Sequence, residues 1–223
     1  MYSERPSRLP GGVIWGHDGL GPSSAVLPDG CTDLMFDGRD LTIAGPDRRS
    51  FTGFASPRFV GLRMSSGIGP SLWGVPGNEL VDQRVLLRDL WPADEVDRLT
   101  SLVANADDAG LVLEQIAARR WRANPPDRAM VDIAVALRRG MSVAEVAAHA
   151  GYSERQLHRR SLVAYGYGAK TLGRILRLNG ALDEARSGTA FVTVAALWGY
   201  ADQAHLSREV RALTGETLTS LLV

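Results

Sequence analysis

The sequence predicts an α+β protein, in which a small β-rich N-terminal domain with two helices at its end is followed by an all-α C-terminal domain. Three observations predict this class. Residues 24–64 contain short apolar runs between Gly and Pro turns, which are typical of strands. From residue 94 onward apolar residues recur at helical spacing, and one pattern occurs twice in the last third of the chain. We expect the first domain at residues 1–123, a linker at 124–127 and the second domain at 128–223.

The strands of the N-terminal domain are short. Residues 1–24 are rich in Pro, Gly and Ser and are expected to be irregular. A strand at residues 25–27 ends at a Pro-Asp-Gly turn, and residues 31–44 are expected to form a hairpin that turns at Asp37-Gly38. Residues 58–64 alternate between two sides. Four or five such strands with Gly and Pro turns predict a small, partly open β-barrel or half-barrel.

Helical patterns follow the strands. Residues 69–75 are expected to form one helical turn, and residues 94–103 and 107–122 to form longer helices with one apolar face each. Because a small β domain would not fully cover these faces, the two helices are candidates for the seam of a homodimer. The Asn-Pro-Pro-Asp sequence at residues 124–127 ends the second helix, and we expect few contacts to cross this linker.

One pattern of residues occurs twice between Val143 and Arg208. The first copy is Val-Ala-Ala-His-Ala-Gly-Tyr at residues 146–152, and the second is Val-Ala-Ala-Leu-Trp-Gly-Tyr at residues 194–200. The offset is 48 residues up to the Gly-Tyr pair and 49 residues beyond it. In each copy an Ala stands four residues before the Gly, which suits two helices that cross closely through a tight turn. The pattern predicts two helix-turn-helix units in tandem.

The helices of the C-terminal domain have identifiable ends. Ser142 with Glu145 predicts a capping box, and Ser153 and Asp202 are expected to cap the second helix of each unit. A long helix of about 18 residues, or about 27 Å, is expected at residues 169–187. A rigid helix of this length can hold the second helices of the two units about 34 Å apart. This distance is one turn of B-DNA, so both helices would lie on the same face of the duplex. The remaining helices are expected at residues 128–139, 153–164, 193–198, 202–214 and 217–222.

Residues 128–222 resemble the DNA-binding domain of the AraC/XylS family of transcription regulators. The residues that carry the resemblance are Gly151-Tyr152-Ser153, Arg159-Arg160, the run from Gly199 to Arg208, and Leu213-Thr214-Gly215. The resemblance implies a regulator that binds double-stranded DNA, with RNA polymerase as a further partner.

The N-terminal half resembles a small β-rich domain of unassigned function that precedes this DNA-binding domain in many actinobacterial regulators. Residues 26–34, 44–47 and 58–61 carry this second resemblance. It implies a sensing or oligomerising role, with a small-molecule effector or a homodimer, and it names no ligand.

Two sets of side chains match the positions at which the family contacts DNA. They are Arg155, His158 and Arg159 on the first recognition helix, and Gln203, Ala204 and Arg208 on the second. Gln156 is expected on the same outward face of the first helix and is a further candidate for DNA contact. Arg donates two hydrogen bonds to guanine and Gln can read adenine, whereas Ala can only touch a thymine methyl group. Leu157 is expected to face the core, and Asp202 to cap its helix rather than to contact a base. The alternative is a solvated, Arg-rich helix face.

Two residues depart from the family's pattern. Ser161 stands where a buried Phe is usual, with Leu162 as a partial replacement, and Leu218 stands where a Pro is usual. We expect the first unit to pack less tightly because of Ser161, which leaves open whether both units read bases or only the second.

Charge is distributed unequally although the net charge is zero. Residues 1–127 hold 13 Arg and 17 acidic residues, a balance of −4, and residues 128–223 hold 12 basic and 8 acidic residues, a balance of +4. The basic excess coincides with the tandem motif, as phosphate binding requires. The alternative is a chance difference.

Other classes of protein find less support. A single cysteine, Cys31, excludes an internal disulfide and predicts a reducing cytoplasm. No apolar run approaches the roughly 20 residues that cross a membrane. No metal or other cofactor is expected, because the four histidines lack metal-ligand spacing. An enzyme would have to use Cys31 with His17, but a lone Cys beside a strand is more often a small buried hydrophobe, and we expect no enzyme.

The sequence leaves alternatives for both domains. Trp15, Cys31, Met35, Arg63 and Trp73 are candidates to line an effector pocket in the β domain, with ordinary core as the alternative. The preferred function is transcription regulation through two recognition helices. The alternative is a ligand-binding or protein-interaction module whose helical domain has lost specific DNA binding. Salt-dependent binding to duplex DNA separates these two functions.

Overall fold

Strands precede helices along most of the chain. The computed structural model describes residues 2–18, 26–51 and 58–222. The strands of these residues are β1 (Tyr2–Pro6), β2 (Gly12–Asp18), β3 (Thr32–Phe36), β4 (Leu41–Ala44), β5 (Arg58–Met64) and β6 (Arg84–Leu86). The α-helices are α1 (Gly69–Trp73), α2 (Gly77–Leu80), α3 (Ala93–Ala104), α4 (Ala109–Ala123), α5 (Arg128–Arg138), α6 (Val143–His149), α7 (Glu154–Tyr165), α8 (Ala169–Arg186), α9 (Phe191–Leu197) and α10 (Gln203–Thr214). The sheet with α1–α4 is the N-terminal part, and α5–α10 form the helical part.

The strands form one antiparallel sheet in the order β1-β2-β5-β3-β4-β6. The expected hairpin at residues 31–44 is confirmed: β3 pairs with β4, and the Asp37 carboxylate accepts the backbone N–H groups of Arg39 and Asp40 in the turn. Among the described strands β1 and β6 lie at opposite edges and do not pair. The sheet is therefore open, as the predicted fold class requires.

The expectation that residues 1–24 are irregular is wrong for residues 2–18. There β1 and β2 form a hairpin in which Tyr2 pairs with His17 and Pro6 with Val13. The alternation that marks a strand is missing because every residue of β1 is exposed. The sequence also missed α2 and β6, which have only four and three residues. The strand expected at residues 25–27 starts outside the described residues, and Val26 forms an isolated bridge with Phe51.

One face of the sheet packs against α1, α3 and α4. Side chains of the sheet and of these helices form the first apolar cluster, which includes Leu34, Ile43, Leu62, Trp73 and Leu113. The apolar faces of α3 and α4 are buried in the same cluster, so the reason for placing a dimer seam there is wrong. Leu102, which is 57% exposed, is the exception on α3.

A second apolar cluster surrounds α8 and contains the buried side chains of α5–α10. The two clusters touch: Val131 of α5 packs against the first, and Leu27 and Val81 of the N-terminal part pack against the second. The expectation that few contacts cross residues 124–127 is therefore wrong.

The predicted helix ends are largely confirmed. Ser142 and Glu145 form a capping box, and Ser153 and Asp202 cap α7 and α10 through their side chains. These devices are local, because each joins residues three positions apart, and a sequence specifies them directly. Differences are small: α9 begins two residues before the expected start, and the final turn is a 3₁₀ helix at Ser220–Leu222.

Candidate nucleic-acid interface

The two turns of the tandem motif have the same backbone geometry. Gly151 has a φ of 70° and Gly199 a φ of 68°, a left-handed conformation that favours glycine. The tyrosine after each glycine donates its backbone N–H to the alanine four residues before that glycine, at 2.9 Å in both units. The repeat of the sequence is thus a repeat of structure.

The side chains beneath the two turns are buried at equivalent positions. Each unit contributes a Val, an Ala and a Leu, none more than 3% exposed. They are Val146, Ala147 and Leu157 in the first unit and Val194, Ala195 and Leu206 in the second. The prediction that Leu157 faces the core is confirmed. Burial of these residues fixes which face α7 and α10, the two helices predicted to be recognition helices, turn toward solvent.

The exposed face of α7 carries the residues predicted for the first unit. Arg155, His158 and Arg159 are exposed, and a Cβ atom built on Gly168 would lie 2.9 Å from the His158 ring. Gln156 is exposed as well, but its side-chain oxygen accepts the backbone N–H of Ser153 at 2.9 Å in a second capping box. That oxygen is occupied, so the cap competes with bidentate contact to adenine.

The exposed face of α10 carries the residues predicted for the second unit. Gln203, Ala204 and Arg208 are exposed. The Asp202 carboxylate accepts the backbone N–H of His205 at 2.6 Å, which confirms its capping role. Within the described residues no ion pair joins Arg155, Arg159 or Arg208 to an acid.

An ion pair holds α10 against α8. The Arg174 guanidinium donates two hydrogen bonds to Glu209, Nε–Oε1 at 2.7 Å and Nη2–Oε2 at 3.1 Å. These bonds lower the pKa of Glu209 below its ordinary value. Arg177 lies 4.4 Å above the ring of Tyr200, the tyrosine of the second Gly-Tyr pair. Sequence reasoning missed this network, because Arg174 and Glu209 are 35 residues apart and follow no periodicity.

A different ion pair holds α7. The Arg160 Nη1 atom lies 2.9 Å from Oδ2 of Asp127, and its guanidinium lies 4.8 Å above the ring of Tyr152. The other carboxylate oxygen of Asp127 accepts the backbone N–H of Ala129 and so caps α5. In both units an arginine covers the tyrosine that follows the turn glycine.

Ser161 is fully buried on the inner side of α7. Its hydroxyl oxygen has no hydrogen-bond partner among the described residues. The equivalent residue of α10 is Val210, also fully buried. The departure noted in the sequence is thus a small polar side chain at a core position.

Four of the five candidate effector residues lie near one another, and Trp73 does not. Trp15 packs with Met35, and its Nε1–H donates to the Asp33 carboxylate at 2.6 Å. Arg63 Nε lies 3.5 Å from the same carboxylate and 3.4 Å from Asp29, whose carboxylate accepts the backbone N–H of Cys31. Trp73 belongs to the apolar cluster on the other face of the sheet.

Burial raises two pKa values in this group. The pKa of Asp33 rises to about 6, although the nearby Arg63 opposes the rise. Burial and the neighbouring Asp29 and Asp33 raise the pKa of the Cys31 thiol well above its ordinary value. A protonated thiol is a poor nucleophile, so this environment does not activate Cys31.

Two features are absent from the described part of the chain. It contains no helix long and apolar enough to cross a membrane. It also contains no group of three or more His, Cys, Asp or Glu side chains placed to hold a metal ion.

Comparisons with known proteins place a match on each part. Residues 146–222 match a family model described as a helix-turn-helix domain. Residues 14–86 match one described as a domain of unknown function, DUF6597. A comparison with curated proteins gave no match.

The solved structures similar to the chain include several of ToxT from Vibrio cholerae. An apo variant of ToxT is 11% identical over 98% of each chain, with a TM-score of 0.49. A second ToxT structure is 10% identical over 99% of this chain and 97% of that one, also at 0.49. ToxT bound to an unsaturated fatty acid is 10% identical over 94% and 93%, at 0.44.

The repeated turns, the repeated core and the family match together define a helix-turn-helix domain in the helical part. The matched DUF6597 domain precedes it in the chain.

Proposed function

We propose that the chain binds duplex DNA with α7 and α10 in two successive major grooves. One observation carries this proposal: Arg159 and Arg208 are exposed at equivalent positions of two units with the same turn geometry. The helix between the units, α8, has 18 residues and is about 27 Å long. This length suits two recognition helices about 34 Å apart on one face of B-DNA.

The base contacts follow from the side chains on the exposed faces. Arg155 and Arg159 each donate two hydrogen bonds to a guanine, and His158 lies beside them in the first groove. In the second groove Arg208 reads a guanine, Gln203 reads an adenine, and Ala204 touches a thymine methyl group. Gln156 serves first as the cap partner of Ser153.

The uneven charge supports this assignment. The balance of +4 over residues 128–223 supplies the phosphate contacts, and the balance of −4 over residues 1–127 keeps DNA away from the N-terminal part. Binding should weaken with salt, because each neutralised phosphate releases counterions.

We propose the division into residues 1–123, a linker at 124–127 and residues 128–223, since each large part has its own apolar cluster. The first domain senses an effector near Trp15, Cys31, Met35 and Arg63, the four candidates that lie near one another. Ordinary core is the alternative for these residues. We propose that the chain is a transcription regulator of the AraC type, for which contacts with RNA polymerase and with a second copy of the chain are expected.

Selection of bound fragments from a random duplex library tests the proposal. The full chain should enrich one sequence with two half-sites about 10 base pairs apart. Its affinity for that duplex should fall linearly with the logarithm of salt concentration. A folded chain that enriches no sequence would overturn the proposal and favour the ligand-binding or interaction module.

A further inference from the structure

Besides the packing of Val131 described above, the described residues of the helical part contact the N-terminal part at three further places. These places lie on α7, α8 and α10, that is, on both recognition helices and on the helix that joins them. The residues on the N-terminal side are residues 77–81 and two docking loops, residues 27–31 and 45–51.

The first contact is at the end of α7. Gly166 caps this helix in a left-handed conformation. A Cβ atom built on Gly166 would lie 2.4 Å from the Val81 side chain and 3.0 Å from Pro46. A Cβ atom built on Gly77 would lie 2.5 Å from the backbone nitrogen of Gly166. The two backbones are in direct contact, and neither glycine has room for a side chain.

The second contact is on α8. Asn179 donates a hydrogen bond from Nδ2 to the backbone oxygen of Pro28 at 2.8 Å. A Cβ atom built on Gly30 would lie 2.8 Å from Leu172, and Leu27 packs against the apolar cluster of the helical part. The first docking loop therefore lies directly on the connecting helix.

The third contact is at the end of α10. The backbone N–H of Ser50 donates to the carbonyl oxygen of Leu213 at 3.2 Å. That carbonyl lies in the last turn of α10, whose carbonyl groups have no partner within the helix. The second docking loop thus supplies a donor to the second recognition helix.

Each docking loop is held to the sheet by an Arg–Asp pair. Arg63 of β5 lies 3.4 Å from Asp29 in the first loop. Arg84 of β6 donates to both carboxylate oxygens of Asp47 in the second loop, at 3.0 and 2.6 Å. Its guanidinium also lies 4.2 Å above the ring of Phe51. These loops overlap residues 26–34 and 44–47, which carry the resemblance to the β-rich domain of unassigned function.

We propose that the N-terminal part is a platform on which the helix-turn-helix domain docks, so that both recognition helices are held at one separation. The partner of this surface is the chain's own helical part. The consequence for DNA rests on the proposed function: the chain requires two half-sites at one fixed spacing.

Gly77→Ala tests this docking at the point where the backbones of Gly77 and Gly166 are in contact. The added Cβ pushes against Gly166 from the N-terminal part, without changing the helical part itself. Gly173→Ala is the control, since its Cβ would lie 3.6 Å from Leu137, an ordinary contact. Affinity is measured for the selected duplex, for that duplex with one half-site scrambled, and for versions with one or two inserted base pairs.

The two variants should behave differently on these duplexes. Gly77→Ala should weaken binding to the intact duplex about tenfold, a change of about 1.4 kcal/mol. Its binding to the single half-site should match wild type, and inserted base pairs should harm it less than they harm wild type. Gly173→Ala should behave like wild type throughout. Equal losses on intact and single half-sites, or no loss at all, would overturn the proposal.

Hydrogen exchange in the full chain tests docking without DNA. The Ser50 amide should be protected in wild type, and Arg84→Gln should speed its exchange at least about tenfold if the loop opens locally. Arg88→Gln is the matched control, because Arg88 forms an exposed pair with Asp97 elsewhere on the N-terminal part. An unprotected Ser50 amide in wild type would overturn docking. Protection in a chain that selects no duplex would support docking and refute the proposed DNA binding.

Discussion

Glu209 of α10 and Arg174 of α8 face each other through two hydrogen bonds, Nε–Oε1 at 2.7 Å and Nη2–Oε2 at 3.1 Å. The position of Glu209 corresponds in the first unit to Arg160, which pairs with Asp127 instead. The two recognition helices are therefore held by different ion pairs. The Glu209–Arg174 pair lies within the helical part, whereas the Arg160–Asp127 pair joins α7 to the segment between α4 and α5.

Replacing Glu209 should affect the second unit alone. Glu209→Gln removes the charge that Arg174 binds, so affinity for a duplex with only the second half-site should fall about threefold to tenfold, or about 1 kcal/mol for a partly exposed pair. Asp183→Asn, in an exposed pair with Arg186, is the control and should change nothing. A comparable loss on the first half-site would show that the pair supports the whole domain rather than α10.

Ser161→Ala should stabilise the protein. The hydroxyl is buried without a partner among the described residues, and removing an unpaired buried polar group raises the free energy of unfolding by about 1 kcal/mol. Urea unfolding measures this change. Ser101→Ala, at an exposed position on α3, should give a change within about 0.5 kcal/mol. A loss of stability in Ser161→Ala would show that the hydroxyl has a partner in solution.

Asp33 should make the folded state less stable as pH rises from about 4 to about 6. Burial raises its pKa to about 6 in the folded chain, against about 3.9 for an unfolded chain. Between these two pKa values the folded state binds more protons than the unfolded state. The stability that the protonated carboxyl contributes is therefore complete below the lower pKa and is lost above the upper pKa. The free energy of unfolding of wild type relative to Asp33→Asn should therefore fall by at most about 3 kcal/mol across this window.

Urea unfolding at pH 4 and pH 6.5 checks this prediction. Asp97→Asn, at an exposed side chain, is the control. The difference in the free energy of unfolding between wild type and this variant should be the same at both pH values. A relative stability that rises with pH would mean that the charge of Arg63 outweighs the burial of Asp33.

The sequence predicted the parts of the fold that local patterns specify. The tandem repeat placed the buried Leu157 and Leu206 and the two turn glycines, because their spacing follows from helix geometry. It missed the β1–β2 hairpin, because a fully exposed edge strand lacks apolar alternation.

The candidate site was predictable in outline only. Exposed arginines on α7 and α10 follow from the repeat. The Glu209–Arg174 pair and the contact of Ser50 with Leu213 join distant segments, which no local pattern encodes. The sequence groups Trp73 with Trp15 in one candidate pocket, because an aromatic residue in a sequence does not show which face of a sheet it packs against.

The central claim is that both recognition helices read bases, and Arg159→Ala and Arg208→Ala test it most directly. Binding of wild type and both variants to the selected and scrambled duplexes is measured at several salt concentrations. Each variant should lose about 1–3 kcal/mol on the selected duplex and much less on the scrambled one, where phosphate contacts dominate. Equal losses on both duplexes would reduce these arginines to phosphate contacts. No loss at either position, in variants shown to be folded, would contradict the claim that α7 and α10 enter the major groove.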